Sequence, residues 1–182
     1  MPELTDEQIA KEVQGGNTAA FASLIDRYEE KLLRYGRRFL RDDDEVHDAV
    51  QEAFIKAYVN IQSFDVSRRF SPWIYRIAHN EFVNALKKKK ESVSLSDFDT
   101  IFPHPIAKES ADDIATASEL RRLLDGGLTK LDAKYREPLV LYYFEDLDYK
   151  EIAEVLRIPV ATVGVRLKRG REALLKEVKN KS

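Results

Sequence analysis

Residues 148–175 read DYKEIAEVLRIPVATVGVRLKRGREALL, the pattern of two short helices about a tight turn. Asp148 stands where it can cap the first helix, and Glu151, three residues on, completes a capping box. Ile152, Ala153, Val155 and Leu156 then supply an apolar face at helical spacing. Arg157, Ile158 and Pro159 break the run, because proline disfavours helix at the residue before it and lacks an amide donor. In the second helix, at about 100° per residue, Val163, Leu167 and Leu174 cluster on the inner side. Ala161, Val165, Lys168, Arg169 and Glu172 point the opposite way, and Arg166 and Arg171 fall on the flanks. Such a helix suits a DNA major groove, with base edges against the outer row and phosphates against the flanks. A helical hairpin with a solvated basic face is the alternative this stretch alone leaves open.

The 182 residues suffice for one large or two small domains, and the vocabulary leans to helix: 34% charged, 43% hydrophobic, only 7 Gly and 6 Pro. The absence of cysteine excludes a disulfide framework and a thiolate metal site. The three histidines, His47, His79 and His104, have no ligand spacing, and no phosphate-binding glycine loop or nucleophile elbow occurs. No cofactor is expected, and an enzyme is a poor fit. The start, MPELTDEQIAKEV, is acidic and polar and does not read as a signal peptide, and no apolar run approaches membrane-spanning length.

The net charge of −2 conceals a pattern, with residues 1–60, 61–90, 91–118 and 119–182 carrying −5, +5, −5 and +3. Two basic patches separated by an acidic stretch suggest two nucleic-acid contacts. A pI near 6.0 argues against strong non-specific DNA binding by the free protein.

In chain order, Thr5 caps a short helix stopped by Gly15–Gly16, and Asn17 caps a longer one. Arg34, Arg37, Arg38 and Arg41 lie near the end of that helix, where its dipole favours positive charge. The acidic run at 42–45 opens a third helix. It is a poor calcium loop, since the sharp-turn glycine and the twelfth-position acid are missing. Within that helix Val46, Val50, Phe54 and Ala57 look inward, and Asp48, Gln51, Glu52 and Lys56 outward. Next, Ser71 as cap and Pro72 at the first helical position start a helix in which Trp73, Ile77, Ala78 and Phe82 face inward. Tyr75, Arg76, His79, Asn80 and Asn84 offer stacking and hydrogen-bonding groups, and Lys87 to Lys90 a basic exit. Aromatic groups beside amides and cations are what unpaired nucleic acid requires. Residues 91–118 lose helical periodicity and read as a linker, in which Phe98, Ile101 and Phe102 can dock on a partner. Helical patterning resumes near Asp113, is interrupted at Gly126–Gly127, and continues in a helix capped by Asp132, whose Tyr135, Leu139, Val140, Leu141 and Tyr143 pack against the helix-turn-helix.

Together these pieces resemble a bacterial RNA polymerase sigma factor of the extracytoplasmic-function (ECF, group IV) type. DAVQEAFIKAY at 48–58 resembles the core-binding segment of the family's region two. FSPWIYRIAHNEFVNALKKKK at 70–90 resembles its −10 segment, and residues 136–175 resemble region four. The resemblance implies an all-α chain of two small helical domains: region two at 1–90, an acidic linker at 91–112, and region four at 113–182. It implies that Asp48, Gln51 and Glu52 grip the β′ clamp helices of core RNA polymerase. Arg76, His79, Asn80, Asn84 and Lys87 would contact the −10 element, with the loop at 65–71 and the following helix capturing a flipped base. Thr162, Val165, Arg166, Lys168, Arg169 and Arg171 would contact the −35 element, while region four docks on the β flap. Promoter DNA and an anti-sigma factor are the further partners implied, in the bacterial cytoplasm and without membrane insertion. The sequence departs from the family's pattern at Gly164 and Val165, where a basic residue and a serine are common. Asn84 stands at a frequent aspartate, and Arg157 at the common turn glycine. A stand-alone helix-turn-helix regulator remains the competing reading.

Overall fold

The computed structural model describes residues 3–92, 127–128 and 130–179. Among the described residues there are helices and no strands. The chain divides into two compact units. Glu91 and Ser92, expected to open the linker at 91–112, are still helical, and the remainder of that linker, with Phe98, Ile101 and Phe102, lies outside the described residues, as do positions 113–126.

The N-terminal unit contains α1 (Asp6–Gln14), α2 (Phe21–Gly36), α3 (Asp43–Asn60) and α4 (Phe70–Ser92), with 3-10 turns at Thr18–Ala20 and Ile61–Ser63. Thr5 and Gln8 form a reciprocal capping box on α1, and Asp42 caps α3 by accepting from the Asp44 amide at 2.9 Å. Asn17 does not cap α2. A 3-10 turn intervenes, α2 begins only at Phe21, and the Asn17 amide is turned to Glu12 at 3.1 Å. The α4 helix likewise starts one residue before Ser71, at Phe70.

The core of this unit is aromatic. Tyr35 meets Phe39, Tyr75 and Phe82 edge-on at 5.1–5.8 Å, and Phe39 stacks on Phe82 at 5.5 Å. Pairs in these geometries add about 0.5–1.5 kcal/mol each beyond the area they bury. This cluster rotates α4 from its expected register. Its buried stripe is Phe70, Ile74, Tyr75, Ala78 and Phe82. Trp73 and Ile77 are only half-buried, and Tyr75, expected to face nucleic acid, is 1% exposed. The helix carries apolar residues on most sides, so periodicity alone does not select the inner one. The close approach of α2 and α4 depends on Gly36, where a Cβ would lie 2.6 Å from Phe82 and 2.9 Å from Val46.

The C-terminal helices are α5 (Ala133–Tyr143), α6 (Tyr149–Leu156) and α7 (Val160–Lys179), with residues 127–128 also helical. Gly127 is itself helical, and Gly126 lies outside the described residues. Asp132 caps α5 through the Lys134 amide. Leu128, Leu131, Leu139, Val140, Leu141 and Ile152 are buried with Val163, Leu167 and Leu174 of α7 in a small aliphatic core. At the crossing of α5 and α7, a Cβ on Gly170 would lie 2.8 Å from Leu139.

Candidate nucleic-acid interfaces

In the helix-turn-helix, the capping box expected at Asp148 is complete. The Asp148 carboxylate accepts from the amides of Lys150 and Glu151 at 2.8 and 2.9 Å, and the Glu151 carboxylate accepts from the Asp148 amide at 2.8 Å. The turn keeps its left-handed residue without glycine: Arg157 has φ +53°. The Ile158 amide reaches back to the Ala153 carbonyl at 3.1 Å, the six-to-one bond of a Schellman end. The Pro159 carbonyl then accepts from Thr162 and Val163, opening α7 without using the missing amide of proline.

The α7 helix presents the faces its periodicity predicts. Val163, Leu167 and Leu174 are buried. Ala161, Val165, Lys168, Arg169 and Glu172 are exposed, and Thr162, Arg166 and Arg171 lie half-buried along the flanks. Val165 is 50% exposed, so the row is apolar at its start and cationic further on. The Arg171 guanidinium donates to the Tyr143 hydroxyl at 3.3 Å. That bond and one to Tyr149 hold its pKa above the usual arginine value. Tyr143, expected to pack inward, is thus half exposed and acts as a prop for Arg171. Behind the other flank, burial pushes the Glu137 carboxyl up to about 7, opposed by the positive charges of Arg136 and Arg166. Arg136 itself is 5% exposed, unexpectedly for a charged residue one turn from a helix start.

On α4, Arg76, Asn80, Asn84 and Lys87 fall within an arc of about 80° at 100° per residue. Arg76 and Asn80 are half-buried, Asn84 and Lys87 exposed. The structure does not leave His79 open as a base-facing group. Its Nδ1 lies 3.0 Å from the Tyr35 hydroxyl, its ring stacks beside Tyr35 and meets Phe39 edge-on at 5.4 Å, and burial pushes its pKa down to about 4. His79 is therefore neutral at neutral pH and joins α4 to α2.

At the head of α4, Phe64, Phe70 and Trp73 meet pairwise at 5.1–5.4 Å. These rings close the base of a short loop whose Asp65, Ser67, Arg68 and Arg69 are exposed. Asp65 shapes the loop by accepting from the Ser67 amide at 2.9 Å and its hydroxyl at 2.7 Å, bonds that hold its carboxyl below the usual range.

A third surface lies on α3. Asp48, Gln51 and Glu52 are exposed as expected. Lys56 is less free than expected, since its ammonium pairs with Glu81 of α4 at 2.8 Å and with Glu52 at 3.6 Å. The sequence reading omitted Ile55 and Val59, which are 57% and 71% exposed on the same side as Asp48 and Glu52. Their signal was available, because positions 48, 52, 55 and 59 lie within about 60° on a helical wheel. Ile55 and Val59 thus form an exposed apolar pair beside an acidic row.

Comparison with known proteins agrees with this arrangement. The family model for sigma-70 region 2 matches residues 24–92, and that for sigma-70 region 4 matches residues 121–174. The ECF RNA polymerase sigma factor SigW of Bacillus subtilis (strain 168) is 40% identical over 177 residues, covering 93% of this chain and 95% of SigW. The ECF RNA polymerase sigma-E factor of Escherichia coli (strain K12) is 34% identical over 179 residues, covering 94% of this chain and 93% of its own. Among solved structures, CnrH in complex with the cytosolic domain of CnrY aligns with a TM-score of 0.69 at 28% identity, covering 97% of this chain and 99% of that one. The sigma factor RpoE of Bartonella quintana, in complex with the anti-sigma factor NepR, shares the fold with a TM-score of 0.69 at 22% identity, over 87% and 96% of the two chains. The chain belongs to the ECF RNA polymerase sigma factors, built from regions 2 and 4 of the sigma-70 family. Its function is that of a sigma factor, directing RNA polymerase to promoters. Among the described residues no helix is long and apolar enough to cross a membrane.

Proposed function

We propose that promoter recognition is divided between two faces, and that this chain contributes binding alone, with no covalent chemistry, in the bacterial cytoplasm. The α7 helix enters the −35 major groove, where Lys168 and Arg169 meet base edges, Val165 makes apolar contact, and Thr162, Arg166 and Arg171 meet the backbone. The absence of a polar side chain at Gly164 and Val165 shifts part of the readout to DNA shape. The loop at 65–71 and the stripe of half-buried Arg76 and Asn80 with exposed Asn84 and Lys87 hold the unpaired −10 strand, while His79 keeps α4 seated against α2. Opening then proceeds by trapping: unpairing costs a few kcal/mol per extruded base and pocket contacts offset it. Asp48, Gln51 and Glu52, joined by Ile55 and Val59, dock on the β′ clamp helices, and region four docks on the β flap. The acidic linker threads towards the active-site cleft, and an anti-sigma factor restrains the free protein.

The observation that carries this reading is the row Val165–Lys168–Arg169 standing exposed over a buried Val163–Leu167–Leu174 stripe, on a chain whose other unit bears a second polar and cationic stripe. The test is transcription from randomised templates by core polymerase reconstituted with the purified chain. Enriched −35 and −10 elements are expected only with both components present. Tight, specific duplex binding in a gel shift without polymerase would instead establish a stand-alone regulator.

A further inference from the structure

The backbone of the loop at 65–69 is shaped from within by the Asp65 turn and by the Arg68 amide on the Asp65 carbonyl at 3.0 Å. Both its ends are fastened from one distant helix. Gln14, at the end of α1, donates both hydrogens of its Nε2 amide, to the Ile61 carbonyl at 2.7 Å and the Phe64 carbonyl at 2.8 Å. Gln62 returns a bond to the Gln14 carbonyl at 3.1 Å. Glu7, in the first turn of the same helix, accepts from the Phe70 amide at 2.9 Å. Seven residues separate Glu7 from Gln14, about two helical turns, so both side chains project from one side. The helix is itself pinned to α2, because Asp6 accepts from the Arg27 guanidinium at 2.6 Å and the Tyr28 hydroxyl at 2.5 Å. Burial, then the Asp6 bond, raises the Tyr28 pKa and keeps its proton in place. All of α1 precedes the residues, 24–92, that match the region 2 family model.

We propose that α1 is a brace that sets −10 specificity, with Gln14 and Glu7 as positioning residues that fix the two ends of the 65–69 loop. The inference rests on the proposed role of that loop in −10 recognition. A loop that receives an extruded base discriminates only if its shape exists before the base arrives, since ordering it on binding costs every base alike. The Phe64 carbonyl and the Phe70 amide lie where no helical partner serves them, and α1 supplies that partner from outside, while the Ile61 carbonyl, which already accepts from the Phe64 amide at 3.1 Å, takes its second bond from Gln14.

The test uses the full chain with core polymerase and a template library randomised at the −10 and −35 elements, and reads base preference from sequenced transcripts. Gln14→Ala and Glu7→Ala are expected to flatten −10 preference by roughly 5- to 10-fold, with −35 preference and co-purification with core unchanged. Glu7→Gln, which keeps an acceptor for the Phe70 amide, is expected to retain the wild-type profile. Asp65→Ala, which breaks the loop's own turn, separates the two layers. If it alters −10 preference while Gln14→Ala and Glu7→Ala do not, the brace is wrong and the loop assignment stands. If Asp65→Ala has no effect, the loop assignment fails and the brace with it. Equal loss at both elements, or loss with Glu7→Gln as well, would reduce α1 to general stability and overturn the inference.

Discussion

The two DNA-facing helices are built in opposite ways. The α4 helix is held at two places: Tyr35 and Phe39 pack on Tyr75, His79 and Phe82 along its middle, Phe64 packs on Phe70 and Trp73 at its head, and Arg76 and Asn80 are left half-buried. The α7 helix buries one narrow stripe on a small aliphatic core and exposes Ala161, Val165, Lys168, Arg169 and Glu172 along the other side. A surface that receives an extruded base needs walls, and walls come from neighbouring helices. A surface that enters a groove needs a free ridge, which one amphipathic helix supplies. The difference explains why α7 is readable from its own periodicity and α4 is not.

Glycine substitutions test the tightness of the first unit most severely. Gly36→Ala places a methyl 2.6 Å from Phe82 and 2.9 Å from Val46, and is expected to cost about 3 kcal/mol, at the upper end for overpacking. Chemical denaturation followed by the single tryptophan, Trp73, reads the N-terminal unit directly. A midpoint within experimental error of wild type would mean that α2 and α4 are not locked together.

Division of labour between the helices comes next. Arg169→Ala is expected to weaken promoter binding by about 1–3 kcal/mol if it reads a base, with loss of the upstream footprint. Asn80→Ala is expected to spare that footprint and reduce permanganate reactivity in the melted segment. Identical behaviour of the two variants would dissolve the comparison.

Opposite pH responses sharpen it further. His79 has its pKa depressed to about 4, so its contribution is present above the unfolded value of about 6.5 and is lost as pH falls from there through about 4. After discounting for solvent screening of a half-buried ring, about 1–2 kcal/mol is expected. Glu137 has its pKa raised to about 7, so its contribution is full below about 4.5 and is lost as pH rises through 7. Amide exchange between pH 4 and 7 is therefore expected to show these contributions changing in opposite directions, with His79→Gln flattening the first and Glu137→Gln the second. Unchanged pH profiles in both variants would refute this.

The smallest effects lie in the helix-turn-helix. A Cβ on Gly164 meets only the Tyr149 ring, at 3.6 Å, so Gly164→Ala is expected to add about 1 kcal/mol through helix propensity. Arg157→Gly is expected to add about 0.5–1 kcal/mol by relieving a left-handed residue at φ +53°. Thermal midpoints measured on the two variants check both, and a fall in either would show that the site has its own packing demand.

Several features were legible because their causes are local. Asp148 and Glu151 cap α6 as their spacing requires, Asp42 and Asp132 cap α3 and α5, and the outer row of α7 follows from about 100° per residue. Others were misread where several partners compete. Tyr75 and His79 had the right chemistry for nucleic acid, but an aromatic cluster from α2 claimed both. Ile55 and Val59 carry side chains whose apolar character suggests burial, although their angle on the helix puts them beside Asp48 on the exposed side.

The amino-acid order by itself determined the helical class, the caps at Thr5, Asp132 and Asp148 and the exposed row of α7, since each depends on residues within a few positions of one another. Only tertiary structure decided which side of α4 is buried, why Gly36 must lack a side chain, and that Gln14 and Glu7 fasten a loop some fifty to sixty residues away. Those outcomes depend on which helix arrives opposite, and pairwise contacts between distant segments leave no period in the chain.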